Sequence, residues 1–359
     1  MPSTNPERTR LLTIIAQDPS VRRDGKILRA QVEVSAEETA PGPWGYRVHV
    51  VDYDASTNTL YPPLDYAALR AGAAGDPFVT ASDKQLLDNP HFHAQNVYAI
   101  VMRTLARFEY ALGRRVSWGF YGHQLKVAPH AFADANAFYS DRDQGLFFGY
   151  FPASSDSREM VFSCLSHDVV AHETAHALLD GLHDRYTDPS SPDQAAFHEG
   201  FADIVALLSV FALPSVVDVL IEGCVGDKAT GRIERKQLDP ALLRRTMLFG
   251  LAEQMGQEMA VTRGRALRQS AELLPSTEYL KRGNSEFTEP HRRGEVLVAA
   301  VMMGKFCWRF APVSPSPVSL AVTPLVPRSM PRSPLLKMAL ARMTLLEQVA
   351  ATETPSAPL

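Results

Sequence analysis

The sequence predicts an α+β fold: a mixed α/β N-terminal lobe, a helical C-terminal lobe, and one chemistry-bearing helix at their junction. Three observations predict it. Alternating apolar residues, the mark of half-buried strands, are confined to the first 160 residues. Apolar residues recurring at helical spacing dominate from residue 162 onward. Between residues 312 and 334 seven prolines interrupt every helical pattern. The expected organisation is therefore a mixed α/β lobe over 1–160, a helical lobe over 161–310 and a Pro-rich, poorly ordered tail over 311–359. A chain of 359 residues is long enough to bury a core of that extent.

In chain order, Lys26 to Val34 and Tyr46 to Val51 alternate as strands, with Pro41-Gly42-Pro43 as the turn between them. Residues 91–112 read as an amphipathic helix presenting Val97, Ile100, Val101, Leu105, Phe108 and Leu112 on one face. His91 and His93, at its start, read as polar surface groups. Arg115 to Phe120 and Leu125 to Val127 read as strands, and Phe147 to Phe151 as a strand buried on both faces. Helices follow over 162–183, 195–222, 240–261 and 293–309. In the tail, Leu335 to Val349 has the pattern of one short amphipathic helix.

Composition excludes several classes. A net charge of −4 gives no basic surface for nucleic acid or for an anionic membrane. Three cysteines, Cys164, Cys224 and Cys307, are too few and too scattered for a disulfide framework, and none has metal-ligand spacing. Cys164 reads as a small buried hydrophobe. The polar start and the short apolar run Leu11 to Ala16 do not make a signal peptide, and no stretch has the length of a membrane span, so a cytoplasmic location is expected.

The chemistry concentrates in His172-Glu173-Thr174-Ala175-His176, set within an apolar run. On a helix, residues four apart stand one above the other, with Cβ atoms about 5–6 Å apart, so both imidazoles reach one small ion. Glu173 lies beside the first of them, where it can address a water on that ion. This is the metalloprotease pattern of two ligands and a base preset by one helical turn. The chain's own His and Glu frequencies yield about 0.02 chance matches. The bland alternative, a helix with two solvent-facing histidines, conflicts with the apolar setting, because burying that trio without a partner is costly.

Catalytic zinc takes three protein ligands. His183 would lie two turns past His176, about 10 Å along the axis, too far to share the ion. A short-spacing solution needs a Gly three residues past His176 and a His six residues past it; these positions are Leu179 and Leu182. The remaining candidates are His198 and Glu199, in a second helical pattern with Phe201, Ile204, Val205 and Leu208 as its apolar stripe. Asp203 stands one turn beyond Glu199, suited to accept the free N–H of a ligand imidazole. Glu199 is preferred on that ground, with His198 the alternative.

Asp168 to Ala177, followed by Glu199-Gly200-Phe201-Ala202-Asp203, resembles the thermolysin-like gluzincins. The resemblance is at the level of motifs, strongest over residues 130–210. It implies a zincin-like fold, zinc held by His172, His176 and Glu199, Glu173 as general base, and Asp203 orienting a ligand histidine. Asn136-Ala137-Phe138-Tyr139 is similar to the family's edge strand, which implies that Asn136 and Ala137 hold the substrate backbone; an edge strand carries free groups to which a peptide can add. His291 is the best match to the family's oxyanion-stabilising histidine, though its flanking residues differ and a helix-entry surface histidine is the alternative, and Tyr186 lies near a second donor position. The chain departs from the pattern in having His198 where Asn is usual. The expected activity is a zinc metalloendopeptidase acting on peptide or protein, with Glu173 activating the water. The competing expectation is a non-catalytic zinc- or peptide-binding domain on the same fold.

Overall fold

A computed structural model describes residues 9–69, 76–153, 159–183, 190–223, 233–234, 273, 276–281, 287–310 and 329–330. Among them, six helices and several small sheets form a mixed α+β structure. The expected helix at 240–261, Tyr186 and all of the Pro-rich tail except Ser329–Met330, a two-residue strand paired with Ile233–Glu234, lie outside the described residues.

The chain begins with an antiparallel pair, β1 (Thr9–Ile15) and β4 (Arg29–Ser35), in register from Thr9↔Ser35 to Ile15↔Arg29. Between them, β2 (Arg22–Arg23) and β3 (Lys26–Ile27) make a hairpin. Its turn residues Asp24 and Gly25 both have positive φ, as a two-residue hairpin turn demands. Within β4, Ala30, Val32 and Val34 point inward and alternate with exposed residues, as the sequence predicts. β1 escapes that pattern because Leu12, Thr13, Ile14 and Ile15 are all buried. A strand covered on both faces does not alternate.

The main sheet contains β5 (Val48–Val50), β8 (Leu125–Phe132), β9 (Ala137–Ser140), β10 (Gly145–Pro152) and β11 (Met160–Phe162). A small hairpin, β6 (Tyr53–Asp54) with β7 (Thr59–Leu60), follows β5. β8 runs parallel to β5 and β10, while β9 and β11 pair antiparallel with successive halves of β10. Among the described residues β9 has a ladder on one side alone, the edge position expected for this segment. Arg115 to Phe120 is not a strand. Side chains take its backbone groups: Arg47 Nη2 donates to Val116 O at 2.5 Å, and Glu109 Oε1 accepts from Val116 N at 3.2 Å.

The helices are α1 (Asp83–Leu87), α2 (Pro90–Leu112), α3 (His167–Leu182), α4 (Pro192–Phe211), α5 (Pro214–Gly223) and α6 (Pro290–Phe310). α2 starts where Asn89 Oδ1 accepts from His91 N, with Pro90 in the first turn, and stops at Gly113 with φ 62°. Its first half is buried all round, so His93 is an interior residue and not the surface group its position suggested. The helical pattern 195–222 is two helices, because Pro214 lacks the N–H that would continue α4. A ³⁻¹⁰ turn, Ser163–Leu165, leads into α3. α3 packs between α2, α4 and β9, which leaves its whole length from His167 to Asp180 buried. One cluster of buried apolar residues runs from Leu12 in β1 to Met302 in α6.

Candidate metal centre

α3 holds its chemical residues deep in the protein because two glycine-dependent approaches bring neighbours close. At Gly181 an added Cβ would lie 1.8 Å from Ser117 O, so the end of α3 can pack on that segment only as glycine. At the crossing of α4 and α6, a Cβ on Gly200 would lie 2.8 Å from Gly294 O, and one on Gly294 would lie 2.7 Å from Ala196 O. The backbones of α4 and α6 therefore touch directly. Glu199 precedes one of these glycines, and His291 sits about one turn before the other.

This packing assembles a triangle. His172 Nε2 and His176 Nε2 are 3.0 Å apart, and Glu199 Oε2 lies 3.3 Å from the first and 3.6 Å from the second. Tetrahedral zinc with ligands at about 2.0–2.1 Å requires ligand atoms roughly 3.3 Å apart. Glu199 Oε2 is shielded from solvent and has no well-directed hydrogen bond. A buried carboxylate oxygen held among imidazole nitrogens in this way fits a cation that satisfies all three.

The outer nitrogens are also engaged. His172 Nδ1 contacts Asp203 Oδ1 at 2.9 Å, and His176 Nδ1 contacts His198 Nδ1 at 2.6 Å with the two rings stacked. Each contact directs the inner Nε2 of its histidine toward the triangle. Burial works to lower the pKa of His172, but Asp203 and Glu199 outweigh it and push it up to about 10. Burial, reinforced by the charge of His176, lowers His198 to about 4, so His198 is neutral. Burial opposes ionisation of Glu199, yet the three imidazoles hold its carboxyl far below the usual range.

His291 joins the same cluster. Its Nε2 is 3.1 Å from Glu199 Oε2, and its Nδ1 is held by Glu289 Oε1 at 2.6 Å. Burial lowers its pKa, but Glu199 and Glu289 overcome that and raise it to about 9. Glu173, next to His172, is buried, and its charge adds to those favouring the protonated His172. His183 caps the end of α3 and is exposed, well outside the cluster in sequence and character.

On the sheet side, Tyr139 Oη donates to Asp180 Oδ2 at 2.7 Å, tying edge strand β9 to α3. Ala137 is buried and Asn136 is exposed. Both backbone groups of Asn136 are engaged within the protein, N–H to Asp134 O and C=O to Gly149 N–H. Its side-chain oxygen accepts from Ala137 N at 2.9 Å.

The residues that sequence reasoning missed are the supporting ones. No spacing rule points to His198 as the partner of His176, to Glu289 as the partner of His291, or to Asp180 as the anchor of Tyr139. Each arises where two elements meet. No protein-family model matches the chain, and no curated protein matches it either.

Proposed function

We propose that the chain is a zinc-dependent metallopeptidase of zincin-like fold that hydrolyses peptide bonds. The observation that carries this reading is the His172, His176 and Glu199 triangle, whose edges match zinc's tetrahedral spacing and whose histidines have their outer nitrogens engaged. The motif resemblance to thermolysin-like gluzincins supports it from the sequence. Bound zinc would supply a Lewis acid that polarises the scissile carbonyl and lowers the pKa of water.

The chain's own groups do the rest. Glu173 takes the proton of the attacking water and passes it to the leaving amine. His291, held by Glu289 through Nδ1, is suited to donate from Nε2 to the oxygen on which negative charge develops. Asp203 and His198 hold the ligand imidazoles in the tautomers that present Nε2. The edge of β9 offers a peptide a backbone to pair with, and Tyr139 fixes that edge against α3.

The test loads the purified chain with zinc and measures metal content and cleavage of an unstructured protein substrate. Glu173→Gln should retain zinc and abolish cleavage, while His172→Ala and His176→Ala should release zinc. Unchanged cleavage by Glu173→Gln removes it from the reaction. A zinc-loaded wild type that binds peptide without cutting it establishes the binding-domain reading instead.

A further inference from the structure

A second cluster lies apart from this one in the chain. His93 of α2, His130 of β8 and Cys164 of the turn before α3 are 1%, 3% and 0% exposed. Their potential ligand atoms all lie within 4.8 Å of one another. The hydrogen bonds around them leave an unusual account. His93 Nε2 faces Leu87 O at 2.9 Å, an acceptor, so that nitrogen carries a hydrogen. His130 Nδ1 faces Asp52 Oδ2 at 2.8 Å, so that nitrogen carries one too. In neutral rings the two remaining nitrogens are then bare lone pairs, yet His93 Nδ1 and His130 Nε2 face each other at 2.7 Å. Two lone pairs at that distance repel unless something positive lies between them. The ligand histidines of the first cluster show the same signature, with inner nitrogens 3.0 Å apart.

We propose that His93, His130 and Cys164 form a second, buried site for a divalent ion of the zinc class. The surroundings are those of a metal site. One ligand imidazole is held by a carboxylate and the other by a backbone carbonyl, the two usual ways of fixing a metal-binding tautomer. Charge balances: a Cys164 thiolate and the Asp52 carboxylate together neutralise one divalent ion, which a dry interior requires. The ring of Phe162 packs on both imidazoles, with centroids at 4.8 and 5.3 Å, and keeps water out. The mixed nitrogen and sulfur set selects zinc, cobalt or copper over magnesium or calcium. Zinc–nitrogen bonds of about 2.0–2.1 Å need the two nitrogens to open by roughly half an ångström. The ion would clamp α2, the main sheet and the turn that launches α3.

The experiment reads thiolate ligation, which this site offers and the His172, His176 and Glu199 triangle does not. Metal-stripped full-length protein is titrated with cobalt(II) and followed by near-ultraviolet absorption, with metal content measured in parallel. Two equivalents should bind, with a thiolate-to-cobalt charge-transfer band. His172→Ala should lose one equivalent and keep the band. Cys164→Ala should lose the band and one equivalent. The double variant Cys224→Ser with Cys307→Ser, which leaves the cluster untouched, should keep the full band, so the test survives even if Cys164→Ala fails to fold. Absence of the band in the wild type, its loss from the double variant, or its persistence in Cys164→Ala overturns the proposal. The first result would leave a proton shared between His93 and His130 as what relieves their repulsion.

Discussion

Replacing Gly294 with alanine probes the contact that brings α4 and α6 together. The added Cβ would sit 2.7 Å from Ala196 O, 2.9 Å from Gly200 N and 3.2 Å from Gly200 Cα, all backbone atoms that cannot rotate away. Ordinary contact begins near 3.4 Å, so the helices must separate by about 0.7 Å, an overpacking defect worth roughly 1–3 kcal/mol. At about 2–4 °C per kcal/mol, the melting temperature should fall by several degrees. The displacement also acts on function, because His291 reaches Glu199 from this helix at 3.1 Å. Thermal unfolding of Gly294→Ala, Gly200→Ala and the double variant provides the assay. Both substitutions strain one contact, so once the helices have parted the second should cost much less than it does alone. Full additivity, or a Gly294→Ala protein as stable as the wild type, would refute the close approach.

Two further outcomes are expected. Asp203→Ala removes the acceptor at 2.9 Å from His172 Nδ1 and should weaken zinc binding about 10–100-fold in a competition titration against a chelator; unchanged affinity would make Asp203 a bystander. Asp168 is buried, and that burial, with the charge of Asp18 adding to it, pushes its carboxyl up to about 7. Its folded pKa lies above the unfolded value of 3.8, so its stabilising contribution is complete below pH 4 and is lost as pH rises through about 7. Urea unfolding should therefore show wild type losing stability relative to Asp168→Asn between pH 4 and pH 8, on the order of 4 kcal/mol. Parallel pH profiles for the two proteins would show that Asp168 does not titrate in this way.

Local order was legible wherever one face of an element is buried and the other wet. The strand β4 and the second half of α2 carry that contrast, and the expected spans of β4, α2, α3 and α6 lie close to those observed. Legibility failed at β1, where burial is two-sided and no alternation survives, though Phe147 to Phe151, read as a strand buried on both faces, does lie in β10. It also failed where side chains replace a neighbouring strand, as Arg47 and Glu109 do at Val116. His93 was misread for the first reason: a helix start is normally wet, but the start of α2 is enclosed.

The candidate centre divides along the same line. By itself the sequence determined that His172 and His176 share one face and that Asp203 stands one turn from Glu199, because helical geometry converts spacing into position without help from the rest of the chain. It also ranked Glu199 over His198 as the candidate third ligand. Only the tertiary structure decided that Glu199 meets those histidines and that His291 meets Glu199, the latter across two helices that touch at Gly200 and Gly294. It alone placed His198 against His176, and it alone gathered His93, His130 and Cys164 from a helix, a strand and a turn. Contacts between distant segments follow from how cores pack, and spacing along a chain holds no record of that.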